Sequence, residues 1–230
     1  TSIGAFATQN NIGNNVVAVG YNAAQGNTGN DVVAVGYQAA QNNVDDRVVA
    51  VGYQAAKDNI SPFTIAIGWK AAKENTQTYV TAVGTLSAEL NTGAYLTAIG
   101  AESGRYNDGQ RCILAGYLCA LNNTGNDVIA VGYAAAFNNS GNSLIALGSF
   151  AAQNNNQNDV VAIGYEAAKE NSQSGVTAVG FRASKNSNGI YVSAIGAFSA
   201  ESNGGAYLTS LGYKSAQLNT GNNVVAVGYN

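Results

Sequence analysis

The chain has 230 residues, a formal charge of −3 and only 10% charged residues. It contains no histidine, so the commonest general base and metal ligand is missing. No basic stripe suggests a nucleic-acid partner, and no apolar run of about eighteen residues suggests a membrane span.

A fixed period governs the chain and overrides any division into globular lobes. Fifteen glycines, beginning Gly4, Gly20, Gly36, Gly52, Gly68 and ending at Gly228, stand sixteen residues apart without a slip. Take each glycine as position 0. Before it comes a four-residue apolar run rich in β-branched side chains: Val16-Val17-Ala18-Val19, the same VVAV from Val32 and Val48, then TIAI from Thr64, and so on to VVAV from Val224. Such runs, short and bounded by turn residues, predict strands. Positions +2 to +5, as in Gln38-Ala39-Ala40-Gln41, favour a helix by propensity, but a helix leaves too few residues for the return to the next strand. A second short strand is expected there. Positions +6 to +11 carry turn chemistry, as in Asn27-Thr28-Gly29-Asn30-Asp31. Each repeat then reads as one coil of a narrow all-β parallel solenoid, with two strands and a turn per coil and about fourteen to fifteen coils in all. The whole of 1–230 reads as a single repeat domain, and because it begins and ends within a repeat, as a segment of a longer protein. The stretch near 48–110 resembles 160–222 at an offset of seven coils, which points to an internal duplication.

The charged residues support this reading. Every Asp, Glu, Lys and Arg falls at +2, +5, +6 or +8 to +11, and none at −4 to +1, +3, +4 or +7. The charged positions are expected to face water, and the small residues at +3 and +4 to face inward or line a tight corner. Position +7 is Asn in all but one coil, including Asn27, Asn43, Asn59 and Asn75, with Ser187 the exception. A stacked amide can donate to one neighbouring coil and accept from the other, so a structural ladder is expected ahead of a ligand-binding row. The glycines need either a positive φ or a backbone approach too close for any Cβ.

The irregularities are where a site would lie. Position +11 is tyrosine at Tyr79, Tyr95, Tyr191 and Tyr207, and the −3 residue that follows is then Thr or Ser. These four tyrosines are the candidate ligand contacts. Position +1 is aromatic in most coils, and where it is small, +2 often turns bulky (Leu86, Phe150, Phe198). That exchange predicts one filled volume shared by two positions, with structural stacking set against a sugar- or protein-binding row. Lys57 and Lys73 share one position, with Asp58 and Glu74 at the next, giving a mixed surface ladder. Pro62, the sole proline, sits at +10, where no ladder donor is expected. The coil at Cys112-Ile113-Leu114-Ala115 reverses the usual small-then-large order, which predicts a local repacking or a strand slip. Cys112 and Cys119 read as small buried residues or as a demanding disulfide; with no CxxC pair they do not suggest zinc.

The strand is apolar at both −4 and −1, which point to opposite faces. One interior cannot cover two faces, so the second is expected to meet copies of the same chain. The unit VVAVGYxAA, with VTAVG at Val176 and VSAIG at Val192, resembles the SVAIG repeat of trimeric autotransporter adhesin heads. Related repeats occur in phage and viral fibres. The resemblance implies a left-handed β-roll packed as a homotrimer, displayed outside the cell or on a virion fibre and attaching to a host surface or matrix. The family's commonest coil is about two residues shorter, so this chain departs in its turn. No enzymatic activity, cofactor, metal or membrane contact is expected of this segment. The alternatives are an ice-binding solenoid, weakened because threonine at −3 is scattered and read as covered, and a spacer without a ligand.

Overall fold

A computed structural model describes residues 1–229. The chain divides into two compact units, Thr1–Ala115 and a second beginning at Gly116. The first holds β1 (Ser2–Ile3), β2 (Val17–Val19), β3 (Val32–Val35), β4 (Val48–Val51), β5 (Thr64–Ile67), β6 (Val80–Val83), β7 (Leu96–Ile99) and β8 (Cys112–Ala115). The second holds β9 (Val128–Val131), β10 (Leu144–Leu147), β11 (Val160–Ile163), β12 (Val176–Val179), β13 (Val192–Ile195), β14 (Leu208–Leu211) and β15 (Val224–Val227). Within each unit successive strands pair in parallel at an offset of sixteen residues, as in Val32↔Val48 and Val128↔Leu144. Each unit is therefore a parallel β-solenoid. No helix occurs among the described residues.

The expected second strand is absent, and three linked turns take its place. In one coil Ala39 N–H donates to Gly36 O at 3.4 Å, Gln41 N–H to Gln38 O at 3.2 Å, and Asn43 N–H to Ala40 O at 3.3 Å. The third residue of each turn has a positive φ: 54° at Gln38, 47° at Ala40 and 54° at Asn42. That is the signature of type II turns, which usually place glycine there. Here the left-handed residues are mostly not glycine, at a cost of roughly 1–2 kcal/mol each. Their N–H groups show what offsets that cost. Gln38 N–H reaches back to Tyr21 O at 2.8 Å, Ala40 N–H forward to Ala55 O at 2.9 Å, and Asn42 N–H back to Gln25 O at 2.8 Å. Left-handed residues thus alternate between the coil before and the coil after, and the turn wall is hydrogen-bonded to its neighbours without being a sheet.

The interior is thin. Positions −4 and −2 of the strand, as Val32 and Ala34, point inward against Ala39, Ala40 and Asn43, all fully buried. Among the described residues no fully buried side chain is larger than leucine. The repeating glycine answers both reasons for its choice. Gly68 has a φ of +134°, and a Cβ added to it would lie 2.5 Å from the carbonyl oxygen of Gly84 in the next coil.

The coil at 112–115 keeps full register: Leu96↔Cys112, Thr97↔Ile113, Ala98↔Leu114, Ile99↔Ala115. The expected strand slip does not occur, and the change is one of packing. Leu114 is fully buried where other coils have alanine or serine. Its space comes from Gly104, which stands where the five preceding coils have alanine. A Cβ on Gly104 would lie 3.0 Å from Leu114 Cδ1.

Candidate interaction surface

Alternation along the strand sets the exposed surface. With −4 and −2 turned inward, positions +11, −3, −1 and +1 turn outward. In the first unit Val33, Val35, Ile65, Ile67, Ile99 and Ile113 lie exposed on this face. In the second unit Ile129, Val131, Ile145, Ile163, Ile195 and Leu211 do the same. No charged residue stands at −3, −1 or +1 in any coil. The face is therefore apolar, regular and open to solvent in the single chain. Position −3, read from sequence as covered, is part of it.

Aromatic columns flank the apolar rows. At +1, Tyr21, Tyr37 and Tyr53 stack at 5.3 and 5.0 Å, and Tyr53 continues to Trp69 at 6.3 Å. Lys70 Nζ sits 4.4 Å over the Trp69 ring, a cation–π contact. In the second unit the row survives where +1 is small. Ser149 and Ala197 stand in the +1 row, and the neighbouring +2 rings fill in. Phe150 packs edge-on between Tyr133 (4.9 Å) and Tyr165 (5.9 Å). Phe198 does the same between Phe181 (5.2 Å) and Tyr213 (5.8 Å). In the second unit the exchange between +1 and +2 thus gives one continuous ladder of packed rings, whereas in the first the rings end at Trp69, where Thr85-Leu86 follows.

At +11, Tyr79 stacks on Tyr95 at 5.0 Å and on Phe63 at 4.7 Å. Tyr191 stacks on Tyr207 at 5.5 Å. All four tyrosines are about half exposed, from 48% at Tyr79 to 59% at Tyr191. They stand two residues before Thr81, Thr97, Ser193 and Thr209 on the same outward face. The structure brings Tyr79 to Tyr95 and Tyr191 to Tyr207 as two pairs, one in each unit.

The asparagines at +7 lie inside. Asn27 Nδ2 donates to Asn11 Oδ1 at 2.7 Å, Asn43 to Asn27 and Asn59 to Asn43 at 2.8 Å, and Asn75 to Asn59 at 2.9 Å. Each Nδ2 also donates to the carbonyl two residues on, such as Asn43 to Asp45 O at 2.7 Å. Buried amides with both hydrogens engaged have no surface for a ligand. Gly20, Gly36, Gly52 and Gly68 approach the following coil as described for Gly68.

The charged positions are less wet than expected. Glu89 at +5 is only 5% exposed and pairs with Arg105 at 2.9 Å. Arg105 also pairs with Glu102 at 3.2 Å. In the second unit Glu166 receives Lys169 and Arg182 at 3.2 Å and Lys185 at 2.5 Å, and Arg182 reaches Glu201 at 3.3 Å. Burial pushes the Glu166 carboxyl up, but hydrogen bonds from Lys185 and Lys169 and their charges outweigh it and hold the group below its ordinary value. Lys73 is raised, chiefly by its 2.6 Å hydrogen bond to Glu74 and against desolvation; the charges of Glu74, Glu89 and Asp58 add to it. These networks were hard to see in sequence, because their local pairs are joined to partners sixteen to nineteen residues away that meet only when coils stack.

Cys112 and Cys119 are buried thiols; their sulfurs lie 3.4 Å from Gln110 O and 3.1 Å from Ala130 O. The +10 donor that Pro62 lacks is not a ladder bond in neighbouring coils. Asn30 N–H, for example, donates to the Asp46 side chain at 2.7 Å. Among the described residues no pocket opens and no cluster of potential metal ligands forms. No helix is long and apolar enough to cross a membrane. In comparisons with protein-family models, curated proteins and solved structures, nothing matches this chain, so its outward surface has to be interpreted from its own geometry.

Proposed function

We propose that this chain is a structural and adhesive module of a homo-oligomeric fibre displayed outside a cell or on a virion. The apolar outward face carries the reading. Rows of Val, Ile and Leu at −1 and of Val and Ile interspersed with Thr and Ser at −3, without one charge, run along the strand face of each unit. Large exposed apolar faces mark sites of association, and a second copy offers the same rows at the same spacing. The left-handed coil and the threefold assembly follow from the resemblance to trimeric autotransporter adhesin heads. Attachment to a host surface or matrix then falls to the variable outward positions, with the pairs Tyr79–Tyr95 and Tyr191–Tyr207 as contacts. No catalytic role is assigned: the chain lacks histidine, and Glu89 and Glu166 are held in ion pairs.

Light scattering and sedimentation at low micromolar concentration test the assembly. The chain is expected as a trimer, and Ile65→Lys with Ile145→Lys as a folded species of lower mass. A folded monomer of the unaltered chain at that concentration would sink the reading.

A second reading, ice binding, gains from the exposure of position −3. Thr81 and Thr97 lie in adjacent coils, as do Thr177, Ser193 and Thr209. Valine and isoleucine fill the same position elsewhere. A thermal-hysteresis measurement decides it: no hysteresis removes this reading and leaves the fibre untouched.

A further inference from the structure

The asparagine ladder has one weak rung, and it coincides with a reactive dipeptide. Ser187 is the only residue at +7 that is not asparagine. In several coils the +7 side-chain oxygen also accepts the N–H of residue +9: Gly93 N–H to Asn91 Oδ1 at 3.2 Å, Gly141 to Asn139 at 3.2 Å, Gly205 to Asn203 at 3.2 Å, and Gln173 to Asn171 at 3.4 Å. Serine carries its oxygen directly on Cβ, one bond nearer the backbone, and has no amide nitrogen. Gly189 N–H reaches Ser187 Oγ only at 3.5 Å, and Asn203 Nδ2 reaches the same oxygen only at 3.5 Å. One backbone bond is longer as well: Ser172 N–H donates to Ser187 O at 3.4 Å, against 2.9 Å for Thr28 to Asn43 and for Ser140 to Asn155, while on the other side Asn188 N–H holds Asn203 O at 2.7 Å.

Between Ser187 and the poorly held Gly189 amide lies Asn188. The chain has two Asn-Gly dipeptides, Asn188-Gly189 and Asn203-Gly204. They differ in burial and in how the following amide is held: Gly204 N–H donates to Asn219 O at 2.8 Å. Asn203 is 1% exposed; its Nδ2 donates to Gly205 O at 2.7 Å, and its Oδ1 accepts from Gly205 N and from Asn219 Nδ2 at 2.9 Å. Asn188 is exposed, and its Oδ1 accepts from Ser172 Oγ at 2.6 Å. A hydroxyl donating to that oxygen draws electrons from Cγ and favours attack on it.

We propose that Asn188 is a site of spontaneous deamidation and isoaspartate formation in the folded protein, and that Ser187 is what opens it. The Gly189 amide nitrogen loses its proton and attacks Asn188 Cγ. A new N–C bond closes a five-membered succinimide, the Cγ–Nδ2 bond breaks, and the nitrogen leaves as ammonia after taking up a proton. Water then adds to either carbonyl of the ring. Opening at one gives aspartate, and opening at the other gives isoaspartate with an extra methylene in the main chain. Either product puts a negative charge at a position where other coils have Thr28, Thr76, Thr92 and Thr124, and one has Asp108. Isoaspartate also lengthens one coil, so it weakens the solenoid where the ladder is already weakest. The proposal stands whether or not the fibre reading does.

Peptide mass mapping of the whole chain, incubated folded in mildly alkaline buffer, tests it. Asn188 is expected to convert while Asn203 stays intact. In denaturant both Asn-Gly sites should convert at similar rates, which shows that the fold makes the difference. Ser187→Asn restores the residue that other coils carry, returns an acceptor to Gly189 N–H, and should slow conversion at Asn188 by about fivefold or more, the worth of a recovered hydrogen bond. Asn188→Thr should abolish the modified peptide. Equal protection of Asn188 and Asn203 in the folded chain would overturn the proposal, as would an unchanged rate in Ser187→Asn.

Discussion

Leu114 occupies space that Gly104 leaves open: a Cβ on Gly104 would stand 3.0 Å from Leu114 Cδ1 and 3.3 Å from Ala98 Cβ. The pair predicts a non-additive double-mutant cycle. Alanine is tolerated at this left-handed position in most other coils, at φ near 50°. Backbone strain therefore adds little, and the cost of Gly104→Ala is one of overpacking, about 1–3 kcal/mol. In Leu114→Ala the same substitution should cost little, and the coupling would be read from urea titrations of the four species.

The glycine column predicts a much harsher result. Gly68→Ala meets the Gly84 carbonyl at 2.5 Å and must hold a φ of +134°, which side chains avoid. Neither problem can be relieved by a rotamer. The expected loss is about 3 kcal/mol or more, seen as a large drop in the denaturation midpoint or as failure to fold.

Inside the ladder, Asn43→Ala strips a donor from Asn27 Oδ1 and Asp45 O and an acceptor from Asn59 Nδ2. Buried groups left unpaired give an expected loss of about 2–4 kcal/mol. Asn43→Asp should do worse at neutral pH than in acid, because there it also buries a charge. Melting curves at two pH values separate the two substitutions.

The ion pairs predict opposite pH limits in the two units. Glu166 is held below its ordinary value of 4.5. Its contribution is present above that value and is lost as pH falls through the lower folded one. Lys73 is raised above 10.5, so its contribution is present below that value and is lost as pH climbs through the higher folded one. Glu166→Gln should flatten the acid limb of the stability profile and leave the alkaline limb alone. Glu74→Gln should do the reverse, because it removes the partner that raises Lys73.

The strand and the asparagine row were legible in sequence because their causes are local or strictly periodic. Alternation fixes which side of Val32-Val33-Ala34-Val35 is buried, and a charge-free column marks an inward amide. The turn wall was not legible. Gln38-Ala39-Ala40-Gln41 has no glycine to announce positive φ, and single-residue propensity favours helix or strand there. Its conformation comes from bonds to Tyr21 and Ala55, residues at least fifteen positions away. The ion networks were hidden for the same reason. The apolar face itself was foreseen, with −3 expected to be covered by copies of the chain; in the single chain that row lies open.

Near-identical coils create a hazard during folding. A strand displaced by one whole repeat still sets valine beside valine, glycine beside glycine and amide beside amide, so most contacts cannot tell the right alignment from the wrong one. Leu114 can. Within Thr1–Ala115, Gly104 is the only glycine in its column, and only there does the larger side chain find room. The exception to the repeat thus works as a key that fits one neighbour and penalises every alignment shifted by a coil.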